Sequence, residues 1–121
     1  MKEHSRTVVF GGSGFIGTHL IRRLVTEGVK IISVDLKEPK EYVDGVTYLL
    51  ADVRNLSGFE LEGTVSCIYN FAAIHTTPGY PDIEYFDTNV NGALEITDFA
   101  RRIDCQEIIF TSSISPYGPG E

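Results

Sequence analysis

A chain of 121 residues is the size of one ordinary domain, and its 42% hydrophobic content supplies a packed core and excludes general disorder. Its 17 acidic against 10 basic residues give a formal charge of −7, which repels phosphate backbones and anionic membranes. The pairs Arg22-Arg23 and Arg101-Arg102 read as solvated helix faces, so neither a nucleic-acid partner nor a membrane partner is expected.

Thr7 to Phe10 is a short apolar run that stops at Gly11-Gly12 and reads as a buried strand. From Phe15 to Glu27, Ile16, Leu20, Ile21, Leu24 and Val25 recur at helical spacing, and Gly28 is placed to end that helix. Val29 to Val34 is a second strand ending at Asp35. Lys37 to Asp44, charged and containing Pro39, is a loop. Val46 to Leu50 is a third strand running into Ala51-Asp52, and Asn55 to Glu62 has room for one or two helical turns. Val65 to Phe71 is a fourth strand, followed by Ala72-Ala73 and a Pro/Gly loop from Thr76 to Asp82. Ile83 to Ile103 reads as a long helix with the stripe Phe86, Val90, Leu94, Ile96, Phe99 and Ala100. Glu107 to Phe110 is a fifth strand leading to Thr111-Ser112-Ser113.

Strands alternating with helices predict one α/β domain over residues 1–121: a Rossmann-like, doubly wound parallel sheet of strand order 3-2-1-4-5 with right-handed crossovers. Ligands of such sheets bind beyond the carboxyl ends of the strands, at the switch point between strands 1 and 4. The cysteines, Cys67 and Cys105, have no CxxC or Cys/His spacing and read as free thiols, with no metal site. Met1 to Arg6 lacks the apolar core of a signal peptide, and no apolar run approaches the ~20 residues of a membrane span, so a cytoplasmic location is expected.

The residues that carry chemistry all follow strands. Gly11-Gly12-Ser13-Gly14-Phe15-Ile16-Gly17 is a GxxGxxG turn between a strand and a helix. Glycines there let a diphosphate approach the backbone and the N–H groups of a helix N-terminus, and Gly17 allows tight helix packing. Asp35, ending strand two, is placed to accept both ribose hydroxyls of an adenosine and to repel a 2′-phosphate. NAD is therefore expected over NADP, although Lys37 lies near enough to soften the repulsion. Asp52 is placed to accept from the adenine amino group, with Val53 over the ring; alone, this Asp-Val-Arg-Asn stretch is an ordinary turn. Ala72 and Ala73 leave room for a cofactor or for close packing, and His75 reads as a loop residue rather than a proton carrier. The hydroxyls of Thr111-Ser112-Ser113 face the far end of the crevice.

Taken together, GGSGFIG, Asp35, ADVRN, NFAAIH, DTNVNGAL and FTSSISPYG resemble the extended short-chain dehydrogenase/reductases, the NAD-dependent epimerase/dehydratase family of the UDP-glucose 4-epimerase type. The resemblance covers Thr7 to Gly118. It implies that Gly11, Gly14, Phe15, Ile16 and Gly17 line the pyrophosphate, Asp35 binds ribose, and Asp52 and Val53 hold adenine. Phe71, Ala72, Ala73 and His75 would flank the cofactor, Asn89 would position it, and Ser113 would be the catalytic hydroxyl that hydrogen-bonds the sugar oxygen. A nucleotide-sugar substrate and a homodimer formed through the long helix are implied as well; reduction or dehydrogenation by the same machinery is the alternative activity. The family's Tyr-x-x-x-Lys pair is missing: none of the tyrosines at 42, 48, 69, 80, 85 and 117 has a lysine four places on. Two expectations compete. The chain is the cofactor-binding portion of a longer enzyme, lacking the substrate-binding region and inactive alone; or it is a short dinucleotide-binding module with strand five as an exposed edge.

Overall fold

The computed structural model describes residues 5–72 and 90–110. Its elements are β1 (Arg6–Phe10), α1 (Phe15–Thr26), β2 (Lys30–Asp35), β3 (Val46–Leu50), β4 (Val65–Asn70), α2 (Gly92–Arg102) and β5 (Ile108–Phe110). All strand pairs are parallel, in one sheet of order β3-β2-β1-β4-β5. The architecture is the Rossmann-like α/β fold expected from the sequence, with element ends shifted by a residue or so.

The continuous apolar runs have a physical cause. β1 and β2 lie inside the sheet and are covered on both faces, so neither face of these strands is left to polar residues. Val8, Phe10, Ile32, Val34 and Ile68 pack on one face against Ile96, Phe99 and Ala100 of α2 and against Leu56. Val9 and Ile31 pack on the other face against Ile21 of α1. The first core is built around three rings: Phe10 meets Phe99 edge-on at 5.9 Å, and Phe59 lies 5.3 Å from Phe99. Arg102 covers the outer side of Phe99 at 5.6 Å.

Gly28 ends α1 as expected. At φ +82° it adopts the left-handed conformation while its N–H donates to the Val25 carbonyl (3.0 Å) and the Val29 N–H donates to that of Leu24 (3.0 Å). This pair of bonds satisfies carbonyls that the last turn leaves open.

Two sequence expectations are corrected. Residues 55–62 form turns and no helix, and side chains of α2 hold them in that form. The Leu56 N–H donates to Glu95 Oε1 (2.6 Å), and Arg102 donates to the carbonyls of Leu56 (2.7 Å) and Phe59 (3.2 Å). These bonds strap the segment onto α2 and seat Leu56 in the core with no exposed surface. The stripe assigned to the long helix is also rotated. Ile96, Phe99 and Ala100 are buried, whereas Val90 and Leu94 are 43% and 63% exposed. Position 94 lies about 200° around the helix from position 96, so the two do not share a narrow face. The expected residues 83–89 of that helix lie outside the described residues.

The start of α1 rests on the turn before it. A Cβ at Gly17 would collide with the Gly11 carbonyl oxygen and lie 2.8 Å from the Gly12 Cα. Helix propensity alone would make Gly17→Ala stabilising by about 1 kcal/mol; the collision with backbone reverses the sign. Urea unfolding is expected to show a loss of at least about 1 kcal/mol.

Candidate functional site

The site begins where β1 stops. The Gly11 N–H donates to the Val34 carbonyl and the Phe71 N–H to that of Phe10, both at 2.8 Å, so β1 stays bonded to both neighbours up to its last residue. The chain then turns out of the sheet at Gly11, with φ +81°. A Cβ there would sit 2.6 Å from the Phe71 carbonyl carbon and 2.7 Å from the Ala72 nitrogen. Gly11 is therefore required by the protein's own backbone, in addition to any ligand. Gly12, to which the sequence reading assigned no role, is also crowded, but by side chains: a Cβ there would strike Ser33 Oγ. Gly14 differs: it is exposed, and its Cβ direction meets nothing nearer than the Gly11 carbonyl oxygen at 3.5 Å.

That open direction belongs to a crevice of about 930 Å³ lined by the glycine turn, the ends of β2 and β4 and the residues after β3. Gly14 is the N-cap of α1, in extended conformation (φ −80°, ψ 179°), and makes no side-chain cap bond; the first turn holds no acidic residue. The first N–H groups of α1 thus lack the side-chain acceptors that usually satisfy a helix start. Phe15 and Ile16 are 80% and 51% exposed, so their side chains leave this backbone uncovered. The Phe15 ring instead meets His19 edge-on at 4.6 Å.

Asp35 stands across the crevice. Its Oδ2 accepts from the Ser13 N–H (2.9 Å) and its Oδ1 from the Lys37 N–H (3.2 Å), which fixes the carboxylate beside the glycine turn. Asp52, after β3, is held by Arg54: Nε approaches Oδ1 and Oδ2 at 3.0 and 3.1 Å, and Nη2 approaches Oδ2 at 2.7 Å. The bonds from Arg54 hold the Asp52 carboxyl below the ordinary carboxylate range, against the opposing effect of partial burial. Val53 lines the crevice but is mostly core, 7% exposed and packed on α2 at Gly92. Phe71 and Ala72 form the opposite rim, where the Ala72 N–H donates to Asn70 Oδ1 (2.9 Å) and ends the strand.

The structure thus brings Gly11, Gly14, Phe15, Asp35, Asp52, Val53, Phe71 and Ala72 to one crevice, with Gly17 buried behind it and Ile16 on the outer face. Ala73, His75, Asn89 and Ser113 lie outside the described residues. Among the lining residues that sequence reasoning missed are Leu36 and Arg54. Leu36 is an exposed apolar side chain inside a charged loop, a signal that was legible. Arg54 is recognised only once its contact with Asp52 is seen. Burial pushes the Cys67 thiol up to about 11, and the Cys105 thiol points to the Glu107 carbonyl (3.5 Å). Among the described residues no group of three His, Cys, Asp or Glu side chains is arranged to hold a metal, and no helix is long and apolar enough to cross a membrane.

A parallel sheet with an uncapped helix start and an acidic strand end around one crevice defines a nucleotide-binding domain of the Rossmann class. The sequence matches the model of the NAD dependent epimerase/dehydratase family over residues 7–121, and the chain belongs to that family. A UDP-glucose 4-epimerase of Klebsiella pneumoniae is 28% identical, covering 93% of this chain and 92% of its own length. A solved UDP-galactose 4-epimerase is 29% identical with a TM-score of 0.79, over 96% of this chain and 40% of that one. The UDP-glucose-4-epimerase of Stenotrophomonas maltophila, solved with bound NAD and formylated UDP-arabinopyranose, superposes at a TM-score of 0.80 with 23% identity, over 98% of this chain and 40% of that one. Several further curated relatives are spanned by this chain over 36% to 39% of their length.

The Asp52–Arg54 pair sets a pH dependence. The folded carboxyl titrates below its unfolded value, so its stabilising contribution is complete above that value and is lost as pH falls through the folded one. In Arg54→Met, the Asp52 carboxyl midpoint followed by NMR is expected to move upward. The stability gap to wild type should be widest near neutral pH and narrow below about pH 4.

Proposed function

We propose that this chain binds NAD and is the cofactor-holding portion of a nucleotide-sugar epimerase or dehydratase. The observation that carries the reading is Gly14. It leaves an exposed, uncapped helix start facing open space, where an anionic group meets free N–H donors and the positive end of α1. In a domain of net charge −7, this attraction comes from backbone at the start of α1, beside the basic side chains Arg22, Lys37, Lys40 and Arg54 that also line the crevice.

The family resemblance assigns each part of the cofactor to residues of this chain. Backbone N–H groups of Phe15, Ile16 and Gly17 take the pyrophosphate, close to Gly11 and Gly14. Asp35 accepts the adenosine ribose hydroxyls with its remaining lone pairs. Asp52 accepts from the adenine amino group while staying paired to Arg54, and Val53 offers an apolar edge. Phe71, Ala72, Ala73 and His75 border the rest of the cofactor, Asn89 positions it, and Ser113 hydrogen-bonds the reacting sugar oxygen. Bound NAD would supply the hydride acceptor for transient oxidation of a sugar hydroxyl.

The proton that leaves that hydroxyl needs an acceptor, and no tyrosine in the chain has the lysine that would lower its pKa. Ser113 can hold the oxygen but is a poor base on its own. The 121-residue chain is therefore expected to bind the cofactor without turning over a nucleotide sugar.

Isothermal titration tests the binding. Wild-type protein is expected to take up NAD more tightly than NADP. Gly14→Val, which fills the open direction, and Asp35→Ala, which removes the ribose acceptor, should each weaken NAD by about tenfold or more, the scale of one or two hydrogen bonds. Binding of neither dinucleotide by the wild-type protein would overturn the proposal.

A further inference from the structure

Three residues around the ribose end form a closed ring of hydrogen bonds. The Ser13 N–H donates to Asp35 Oδ2 (2.9 Å), the Lys37 N–H donates to Asp35 Oδ1 (3.2 Å), and the Ser13 hydroxyl donates to the Lys37 carbonyl (2.8 Å). The ring joins the glycine turn to the turn after β2, two segments more than twenty residues apart in sequence. Both main-chain polar groups of Lys37 are used in it.

Packing does not hold this turn. Leu36 is 60% exposed, and a small cavity of about 50 Å³ lies beneath, lined by Ser13, Ser33, Lys37 and Tyr48 among others. The Arg22–Glu41 ion pair ties down a later part of the loop, but its side chains are 49% and 72% exposed, where such pairs contribute little. Of the three bonds, two are made by main-chain donors and survive most substitutions. The Ser13 hydroxyl is the side chain that closes the ring.

We propose that Ser13 is a positioning residue that sets dinucleotide selectivity by locking the Asp35–Lys37 turn. The proposal rests on the NAD-binding reading and deepens it. A carboxylate rejects a 2′-phosphate only if it cannot turn aside, and a nearby lysine accepts one only if it can approach. With the ring closed, Asp35 stays aimed at the ribose and the Lys37 backbone stays fixed. With the hydroxyl removed, the Lys37 carbonyl loses its tether to the glycine turn, so the Lys37 main chain can shift and bring its ammonium toward a 2′-phosphate, while the two main-chain donors still hold Asp35.

The test is titration of NAD and NADP at one ionic strength into wild type, Ser13→Ala, Ser13→Thr and Lys37→Ala, with thermal unfolding of each. Ser13→Ala is expected to lower the ratio of NADP to NAD dissociation constants by about tenfold, the worth of one hydrogen bond. Its thermal midpoint should fall by only a few degrees, the cost of one hydrogen bond at a half-buried position, so the protein stays folded during the titration. Ser13→Thr, which keeps a hydroxyl donor, should restore the wild-type ratio. Lys37→Ala keeps both main-chain bonds and should leave the ratio unchanged or raise it. An unchanged ratio in Ser13→Ala, or equal weakening of both dinucleotides, overturns the lock while leaving NAD binding intact. Absence of binding by wild type overturns the NAD reading and the lock together.

Discussion

The crowding of backbone where β1 leaves the sheet is the constraint on which the rest depends. Gly11 turns within van der Waals range of the Phe71–Ala72 peptide, Gly12 lies on Ser33, and Gly17 lies on the carbonyl of Gly11. Gly11 and Gly17 let backbone meet backbone, and Gly12 lets the turn lie on the Ser33 side chain. Because the turn is this tight, α1 begins immediately over the carboxyl end of the sheet. Its free N–H groups and the acid ending β2 then face the same crevice. A looser turn would leave the same elements but separate the donors of α1 from Asp35.

Much of this was legible in the residues. The runs Thr7–Phe10 and Val29–Val34 have no polar alternation, which only a strand covered on both faces tolerates. That identified the inner strands and, with the helices between them, the order of the sheet. The glycine spacing located the turn, and Asp35 was legible because it follows a strand at the right distance. What stayed hidden depends on contacts distant in sequence. The turns at 55–62 are tied to Glu95 and Arg102 from some forty residues away, and no local pattern reports that. The exposure of Leu94 follows from which face of α2 meets the sheet, a property of tertiary packing. The pairing of Asp52 with Arg54 is local, yet a two-residue spacing of opposite charges is too common in turns to be read without coordinates.

The arrangement also reconciles an acidic protein with an anionic ligand. The formal charge of −7 keeps the domain from binding polyanions through its surface as a whole. Backbone dipoles at the start of α1 act over a few ångströms and are unaffected by that surplus at close range. The two acids that line the crevice, Asp35 and Asp52, both already accept hydrogen bonds from the protein, Asp35 from main-chain N–H groups and Asp52 from Arg54.

The most direct test of the central claim is an amide chemical-shift titration of the 15N-labelled protein with NAD. The account requires the largest shifts at the amides of Ser13, Gly14, Phe15, Ile16 and Gly17, smaller ones at Asp35 and Ala72, and none at the opposite end of the sheet around Thr64 and Cys105. Shifts confined to other surfaces, or a glycine turn unmoved at saturating NAD, would contradict it.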